Sequence, residues 1–383
     1  MTLIELLQSL VRIPSPNPLG DTRAIADFIA QTMAAVGCQV VSVAPDSKPE
    51  AVSVIATLGS GDPVIMLHAH IDTVPIAADE AGQWSVDPYA AVIKDGRVYG
   101  KGSVDDKAPL AAMMQTILNA AARDSLRGTL VLVAAAEEEV GGRLGTRWLA
   151  DNGHLPMCDF IIVGEQTHNR VATAHKGVMR ATVRTTGKSV HATNPDRGIN
   201  AITAMARAVL ALEAYHHQLA ERVHPLVGVP TCNIGVIHGG STANAVPDSC
   251  AVYLDRRMIP GEDPAAVQRE MQAVIAAVDV APAQISIGDW LTSNWFDSTV
   301  DSPLAQTFLA VVGEILGIDP QPIGYLPGSD AKHLTEATRG EMIIFGPGSY
   351  EVAHAFDEYV DIAELEQTQR ILQTFIDRTL FHG

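Results

Sequence analysis

Near-continuous apolar runs alternate with stretches of helical periodicity over the first and last parts of the chain, and the apolar runs lead into residues able to bind a metal. Residues 63–67 (PVIML) read as a buried strand, and period-two alternation then sets His68, His70 and Asp72 on one face where it ends. Residues 129–133 (TLVLV) form a second such run, leading into Glu137, Glu138 and Glu139 and then Gly141 and Gly142. Residues 159–163 (DFIIV) form a third, followed by Gly164 and Glu165. Residues 342–345 (MIIF) form a fourth, with His354 and Glu358 downstream. Between the first two, Arg97-Val98-Tyr99 makes a short strand after a turn at Asp95-Gly96, and an Ala-rich helix is expected from about Pro109 to Ala122, preceded by Asp105 and Asp106.

The middle of the chain has a different period. From about Val178 it reads as a strand to Arg184, a helix over 200–213, strands near 231–237 and 250–256, and a helix over 264–278. The expected fold is therefore α/β: a three-layer, mostly parallel sheet domain built from residues 1–177 and 288–383, with a smaller α+β domain, residues 178–287, inserted. His354 belongs with the earlier strand-end residues, which is the reason for joining the two outer segments. Residues 1–8 carry no basic stretch and read as a surface helix rather than a signal peptide.

Composition narrows the classes. At 383 residues and 47% hydrophobic, the chain can bury one large core and a smaller one. A net charge of -18 with no basic stripe argues against nucleic acid as a partner. No apolar run approaches the roughly 18–20 residues that span a bilayer, so no membrane association is expected. Cys38, Cys158, Cys232 and Cys250 show no paired spacing, which fits a reducing cytoplasm.

The residue types suit metal chemistry. A neutral imidazole ligates best when a carboxylate holds its other ring nitrogen, so His70 and Asp72 can be ligand and orienting partner. Three adjacent glutamates at the rim of a sheet are costly to hold together unless cations neutralise them, and ligands of open α/β sheets bind at that rim. Each stretch also has a plainer reading: polar strand-end residues for His70 and Asp72, helix-start charges for Asp105 and Asp106, a solvated acidic loop for the glutamates. The glycines around Lys101 lack the spacing of a phosphate-binding loop.

Taken in order, HAHIDTVP (68–75), GKGSVDDK (100–107), AEEEVGG (136–142), VGEQ (163–166) and AHAFDEY (353–359), with Arg12-Ile13-Pro14-Ser15 near the start, resemble the dinuclear zinc peptidase and deacylase family that contains acetylornithine deacetylase, succinyl-diaminopimelate desuccinylase, carboxypeptidase G and the aminoacylases. The resemblance runs over essentially the whole chain. It implies that His70, Asp105 and Glu165 hold one divalent metal and Asp105, Glu139 and His354 the other, with zinc the expected metal and cobalt or manganese alternatives. Glu138 falls at the general base and Asp72 at the orienting carboxylate, and a cis peptide is implied after Asp105. His68 falls outside the pattern, and Ala69 and Ala108 stand where the family usually has Gly.

By the same resemblance the insert is a lid or dimerisation domain of a homodimer. His191 matches a histidine that crosses to the partner's site to stabilise the oxyanion, and Asn244 and Arg257 match contacts to substrate. Without the resemblance, Arg256 and Arg257 read as ordinary strand-end charges. Ser329 and Asp330, in Pro327-Gly328-Ser329-Asp330-Ala331-Lys332, resemble a substrate loop and also suit a helix N-cap. The implied activity is removal of an acyl group from an N-acyl amino acid or similar small amide. A dipeptidase or carboxypeptidase of the same family, and a non-catalytic metabolite-binding relative, are the alternatives.

Overall fold

A computed structural model describes residues 1–77, 80, 82–335 and 337–381. The chain divides into two compact units, Met1–Thr173 with Ser298–Gly383, and Ala174–Asp297.

In the first unit the sheet runs in the order Gln39–Val43, Ser53–Ser60, Gly128–Ala135, Val64–His70, Cys158–Val163, Thr338–Ile344. Val64–His70 is parallel to both its neighbours, and Thr338–Ile344 is parallel to Cys158–Val163. Gln39–Val43 and Ser53–Ser60 extend the sheet antiparallel at one side. The register pairs His70 with Ala135, His68 with Val163, and Ile344 with Val163, so the parallel strands stop at one edge. That edge explains how residues distant in sequence converge. The central strands Val64–His70, Gly128–Ala135 and Cys158–Val163 are almost wholly buried, and their sequences are apolar because both faces are covered.

The covering helices are Leu3–Val11, Arg23–Ala34, Lys107–Ala121, Pro303–Leu316 and Ile362–Leu380. Leu3–Val11 is more than the surface helix its sequence suggests. Leu6, Leu7, Leu10 and Val11 are fully buried, because their spacing makes one apolar stripe. Phe160, Phe308, Phe345 and Phe375 pack together beside the central strands, with ring centroids 5.0–6.2 Å apart; burying each such side chain contributes on the order of 1.5–3 kcal/mol. Lys107–Ala121 begins two residues earlier than its sequence suggests, directly after the Asp105-Asp106 peptide, which is cis. The chain leaves this unit at Thr173 and re-enters at Ser298, whose N–H donates to the Thr173 carbonyl at 2.9 Å.

The second unit is an antiparallel sheet in the order Thr231–Gly239, Ser249–Met258, Gly177–Thr186, Gln284–Ser293. The helices Ala201–Gln218 and Pro264–Ala276 share a core with it through Met205, Leu212, Met271, Val252 and Leu254. Asn200 and Asp263 cap the two helices with their side chains. The unit extends to Asp297, where the sequence suggests an end near 287, because Gln284–Ser293 pairs along Gly177–Thr186 as one continuous strand.

Candidate metal centre

His70 is the last residue of its strand and is 3% exposed. Its Nδ1 lies 3.0 Å from the backbone carbonyl of Asp72 and 3.5 Å from Asp72 Oδ1. The nearest orienting acceptor is thus the carbonyl. An Nδ1–H donated there leaves the Nε2 lone pair free to ligate. Nε2 lies 2.9 Å from Asp105 Oδ1. The other oxygen of Asp105, Oδ2, is 3.1 Å from His354 Nε2, and that nitrogen is also 3.1 Å from Glu139 Oε2. One carboxylate therefore stands between two imidazoles, each within hydrogen-bond distance.

The three glutamates do not act alike. Glu137 sits in the left-handed region at φ 71°, and the chain turns there into a single 3-10 turn, Glu138–Val140. The turn sends Glu137 toward Asn17 and Lys48, Glu138 toward Lys332 at 3.4 Å, and Glu139 toward His354. The Asp72 carboxylate accepts the Glu138 N–H at 3.1 Å through Oδ1 and the Glu139 N–H at 3.2 Å through Oδ2. Glu165, at the end of Cys158–Val163, is buried, and its Oε2 accepts the Tyr325 hydroxyl at 2.9 Å. His70, Asp105 and Glu139 present ligand atoms all within 4.8 Å of one another. His354 adjoins that group, whereas Glu165 is not in it.

Charge is crowded here. Burial pushes the Glu165 carboxyl well above the usual range, and the nearby Asp106 and Asp105 carboxylates add to the rise. Burial likewise raises Glu139, with Asp105 adding to it. Glu138 is pushed up to about 7 by burial, against the pull of the Lys332 ammonium. Burial would also raise Asp105, but hydrogen bonds from His354 and His70 outweigh it and hold the carboxyl below its ordinary value. The same bonds to Asp105 and Glu139 lift His354 to about 10. Two imidazoles and three carboxylates, with one carboxylate shared and no thiolate, fit divalent cations that bind nitrogen and oxygen, and such cations would relieve the repulsion that raises Glu139 and Glu165.

Further residues noted in the sequence, none of them among the expected ligands, frame this site. Glu358 accepts the N–H groups of Val104 and Asp105 through Oε1, at 3.1 and 3.2 Å, and pairs with Lys101 at 3.5 Å. Asp106 accepts the His70 N–H at 3.2 Å, so it is not a side-chain cap of the following helix. His68 is buried, 2.8 Å from the Thr146 hydroxyl, which donates to Asp330 at 2.6 Å. Burial pushes its imidazole down to about 4. Ser329 accepts the Ala331 N–H at 3.3 Å, and both Ser329 and Asp330 are buried in this framework.

In the second unit, His191 and Asn244 are exposed on adjacent loops. His191 bridges to Ala245, and the Ala192 N–H donates to the Asn244 carbonyl at 2.9 Å. Arg257 is partly exposed and donates to Asp255 at 2.7 Å. Arg256, expected as an exposed strand-end charge, is fully buried. Its guanidinium bonds Glu262 at 2.6 Å and the Tyr215 hydroxyl at 3.1 Å. Strand alternation sets it on the same face as Val252 and Leu254, toward the core.

The chain and its fold are similar to those of known proteins. The chain is 28% identical over 386 residues to an acetylornithine deacetylase of Proteus mirabilis, covering 98% of this chain and 96% of that one. It is 29% identical over 358 residues to one of Aliivibrio salmonicida, covering 92% and 90%. Its fold is similar to an M20 family metallo-carboxypeptidase from Sulfolobus solfataricus, with TM-score 0.81, 17% identity and 98% of each chain covered. It is also similar to a dinuclear metal binding peptidase from the M20 family of Bacillus subtilis, with TM-score 0.70, 18% identity, and 98% and 97% covered. The model of peptidase family M20/M25/M40 matches residues 66–378, a span that takes in every ligand candidate from His70 to His354, and the chain belongs to that family.

Proposed function

We propose that this chain is a metal-dependent amidohydrolase that removes the acyl group from an N-acyl amino acid or a similar small amide. His70, Asp105 and Glu165 would hold one divalent cation, and Asp105, Glu139 and His354 a second. The observation that carries this reading is Asp105, whose two carboxylate oxygens face His70 at 2.9 Å and His354 at 3.1 Å. When bound, two cations sharing a carboxylate supply Lewis acidity that polarises the amide carbonyl and acidifies the attacking water; zinc is the proposed metal, with cobalt or manganese as alternatives.

The chain's own residues do the rest. Glu138 takes the proton of the attacking water and delivers it to the leaving amine. Lys332, 3.4 Å from Glu138, holds that carboxyl in place. Asp72 fixes the backbone of Glu138 and Glu139 through both N–H groups. His191 stabilises the oxyanion, and Arg257, with a planar fork suited to both oxygens of a carboxylate, binds the amino-acid end of the substrate together with Asn244. Ser329 and Asp330 shape the loop beside the site.

The relatives named as acetylornithine deacetylases favour deacylation over peptide cleavage. We further propose a homodimer through the inserted unit, whose edge strand Thr231–Gly239 exposes Val236 and Ile237. A cytoplasmic location accords with four free, buried cysteines. Among the described residues no helix is long and apolar enough to cross a membrane.

The test is a hydrolysis screen of acetyl-, succinyl- and aromatic-acyl amino acids beside dipeptides, with zinc, cobalt or manganese added, paired with metal analysis and sedimentation. Release of amino acid that is lost on chelation and restored by metal supports the proposal. Turnover of dipeptides alone would replace deacylase by peptidase, and activity that persists after thorough chelation would remove the metals from the mechanism.

A further inference from the structure

We infer that Asn17 is a positioning residue for the hydrolytic centre, a role resting on the function proposed above. Its side-chain nitrogen has two hydrogens. One is donated to Asp72 Oδ2 and the other to Glu137 Oε1, both at 2.9 Å. Asn17 is 2% exposed, so these bonds are out of solvent. The amide orientation is fixed, because the flipped form would turn its oxygen toward two carboxylates.

The segment that carries Asn17 is itself fastened to the strand end of His70. Ser15 donates its hydroxyl to the Ile71 carbonyl at 2.6 Å, the Thr73 N–H donates to Ser15 at 3.0 Å, and the Asn17 N–H donates to Thr73 at 2.8 Å. Lys107 donates to the Ile13 carbonyl at 2.9 Å. The Arg12-Ile13-Pro14-Ser15 stretch, which the sequence marks without assigning it work, is thus the arm that delivers Asn17.

Each of the two carboxylates that Asn17 joins governs part of the glutamate turn. Asp72 holds the N–H groups of Glu138 and Glu139. Glu137 is the non-glycine residue at φ 71° whose left-handed turn parts the three glutamates. A residue with a side chain adopts that conformation only when its surroundings hold it there. Asn17 holds it on one side and Lys48 on the other, at 2.6 Å from the same Oε1. The fit is close: a Cβ on Gly20 would lie 2.3 Å from Lys48 Nζ and 2.7 Å from Glu137 Oε1. Without the Asn17 nitrogen, Asp72 and Glu137 face each other with no shared donor, and both restraints on Glu138 and Glu139 loosen.

The experiment compares wild type with Asn17→Asp, which keeps the shape and replaces the donor by an acceptor, and Asn17→Ala, which removes it. The readouts are zinc retained during titration with a chelator, kcat and KM separately, and the thermal transition. Partners of ligating groups typically change affinity or activity by about 10–100-fold when removed. The expected result is a loss of that size in kcat and in zinc retention, larger for Asn17→Asp, with KM within about threefold. Zinc retention and kcat both within twofold of wild type in either folded variant overturn the inference, as does a rise in KM with kcat unchanged. If neither variant folds, Lys48→Met probes the same carboxylate from its partly exposed partner, and unchanged retention and kcat there overturn it equally. A wild type that binds no metal sinks the proposed function and this inference with it, whereas a metal-binding wild type matched by its variants sinks the inference alone.

Discussion

Replacing Arg256 by Ala should destabilise the inserted unit without touching its chemistry. Arg256 is fully buried, and it donates to Glu262 Oε1 at 2.6 Å, to the Tyr215 hydroxyl at 3.1 Å and to the carbonyl of Arg257. Removing one partner of a buried ion pair costs about 3–5 kcal/mol, because the other charge is left in a poorly solvated place. Glu262 would not be wholly abandoned. Arg222 remains 2.9 Å from its Oε1, and the Ile259 N–H donates to Oε2 at 2.9 Å. The cost should therefore fall at the lower end, about 3 kcal/mol, which for a domain of this size lowers the melting temperature by about 10 °C. Differential scanning calorimetry would read this as an earlier transition. The neighbouring Arg257→Ala removes a partly exposed pair with Asp255, worth about 0–1 kcal/mol, and should leave that transition nearly in place while raising KM. A melting shift below about 2 °C for Arg256→Ala would refute the reasoning, since it would mean that water reaches Glu262 freely.

Glu138→Gln should retain both metals and lose about 10²–10⁴-fold in kcat, the range for a general acid–base group; metal analysis beside turnover checks it, and surviving activity would dismiss Glu138 as the base. Chelation should lower the melting temperature of the first unit as well as abolish turnover, because carboxyls raised by burial and mutual repulsion lose their neutralising cations; at a free metal concentration of 100 Kd the stabilisation removed is about 2.7 kcal/mol. Equal melting with and without metal would count against the ligand set. Gly145→Ala places a Cβ 1.7 Å from the Ala136 carbonyl oxygen, so the turn after the glutamates must shift; about 1–3 kcal/mol of stability and at least tenfold in kcat should go, and wild-type values in both assays would contradict the packing described.

Much of this centre is legible in the sequence because parallel strands covered on both faces announce themselves as apolar runs, and the residue after each run must lie at the sheet's rim. His70 and Glu165 are readable in that way, whereas the three glutamates are readable only as a group, Glu139 being singled out by the family resemblance alone; the separate part played by Glu137 is not legible. Simple alternation would pair it with Glu139, and only the left-handed backbone at Glu137 parts them, a conformation that no residue type in the stretch AEEEVGG requires. Asn17, Lys48 and Tyr325 are likewise hidden, since their partners lie 55 to 160 positions away and no local period links them. Arg256 is within reach of the sequence: it continues the buried alternation of Cys250, Val252 and Leu254, and the general exposure of arginine obscures what the register says.

The hydrogen bond from the Ser298 N–H to the Thr173 carbonyl has a consequence for how such a protein can diversify. The two points at which the chain leaves and rejoins the first unit are neighbours, so the gap they leave is closed whatever length of polypeptide is spliced between them. Every proposed ligand, from His70 to His354, lies outside that splice. Insertions, deletions or wholesale replacement of the intervening segment leave the register of the parallel strands untouched, and with it the spacing of the ligands. A lineage built this way can explore new specificities in one module while the other stays under constant geometric constraint.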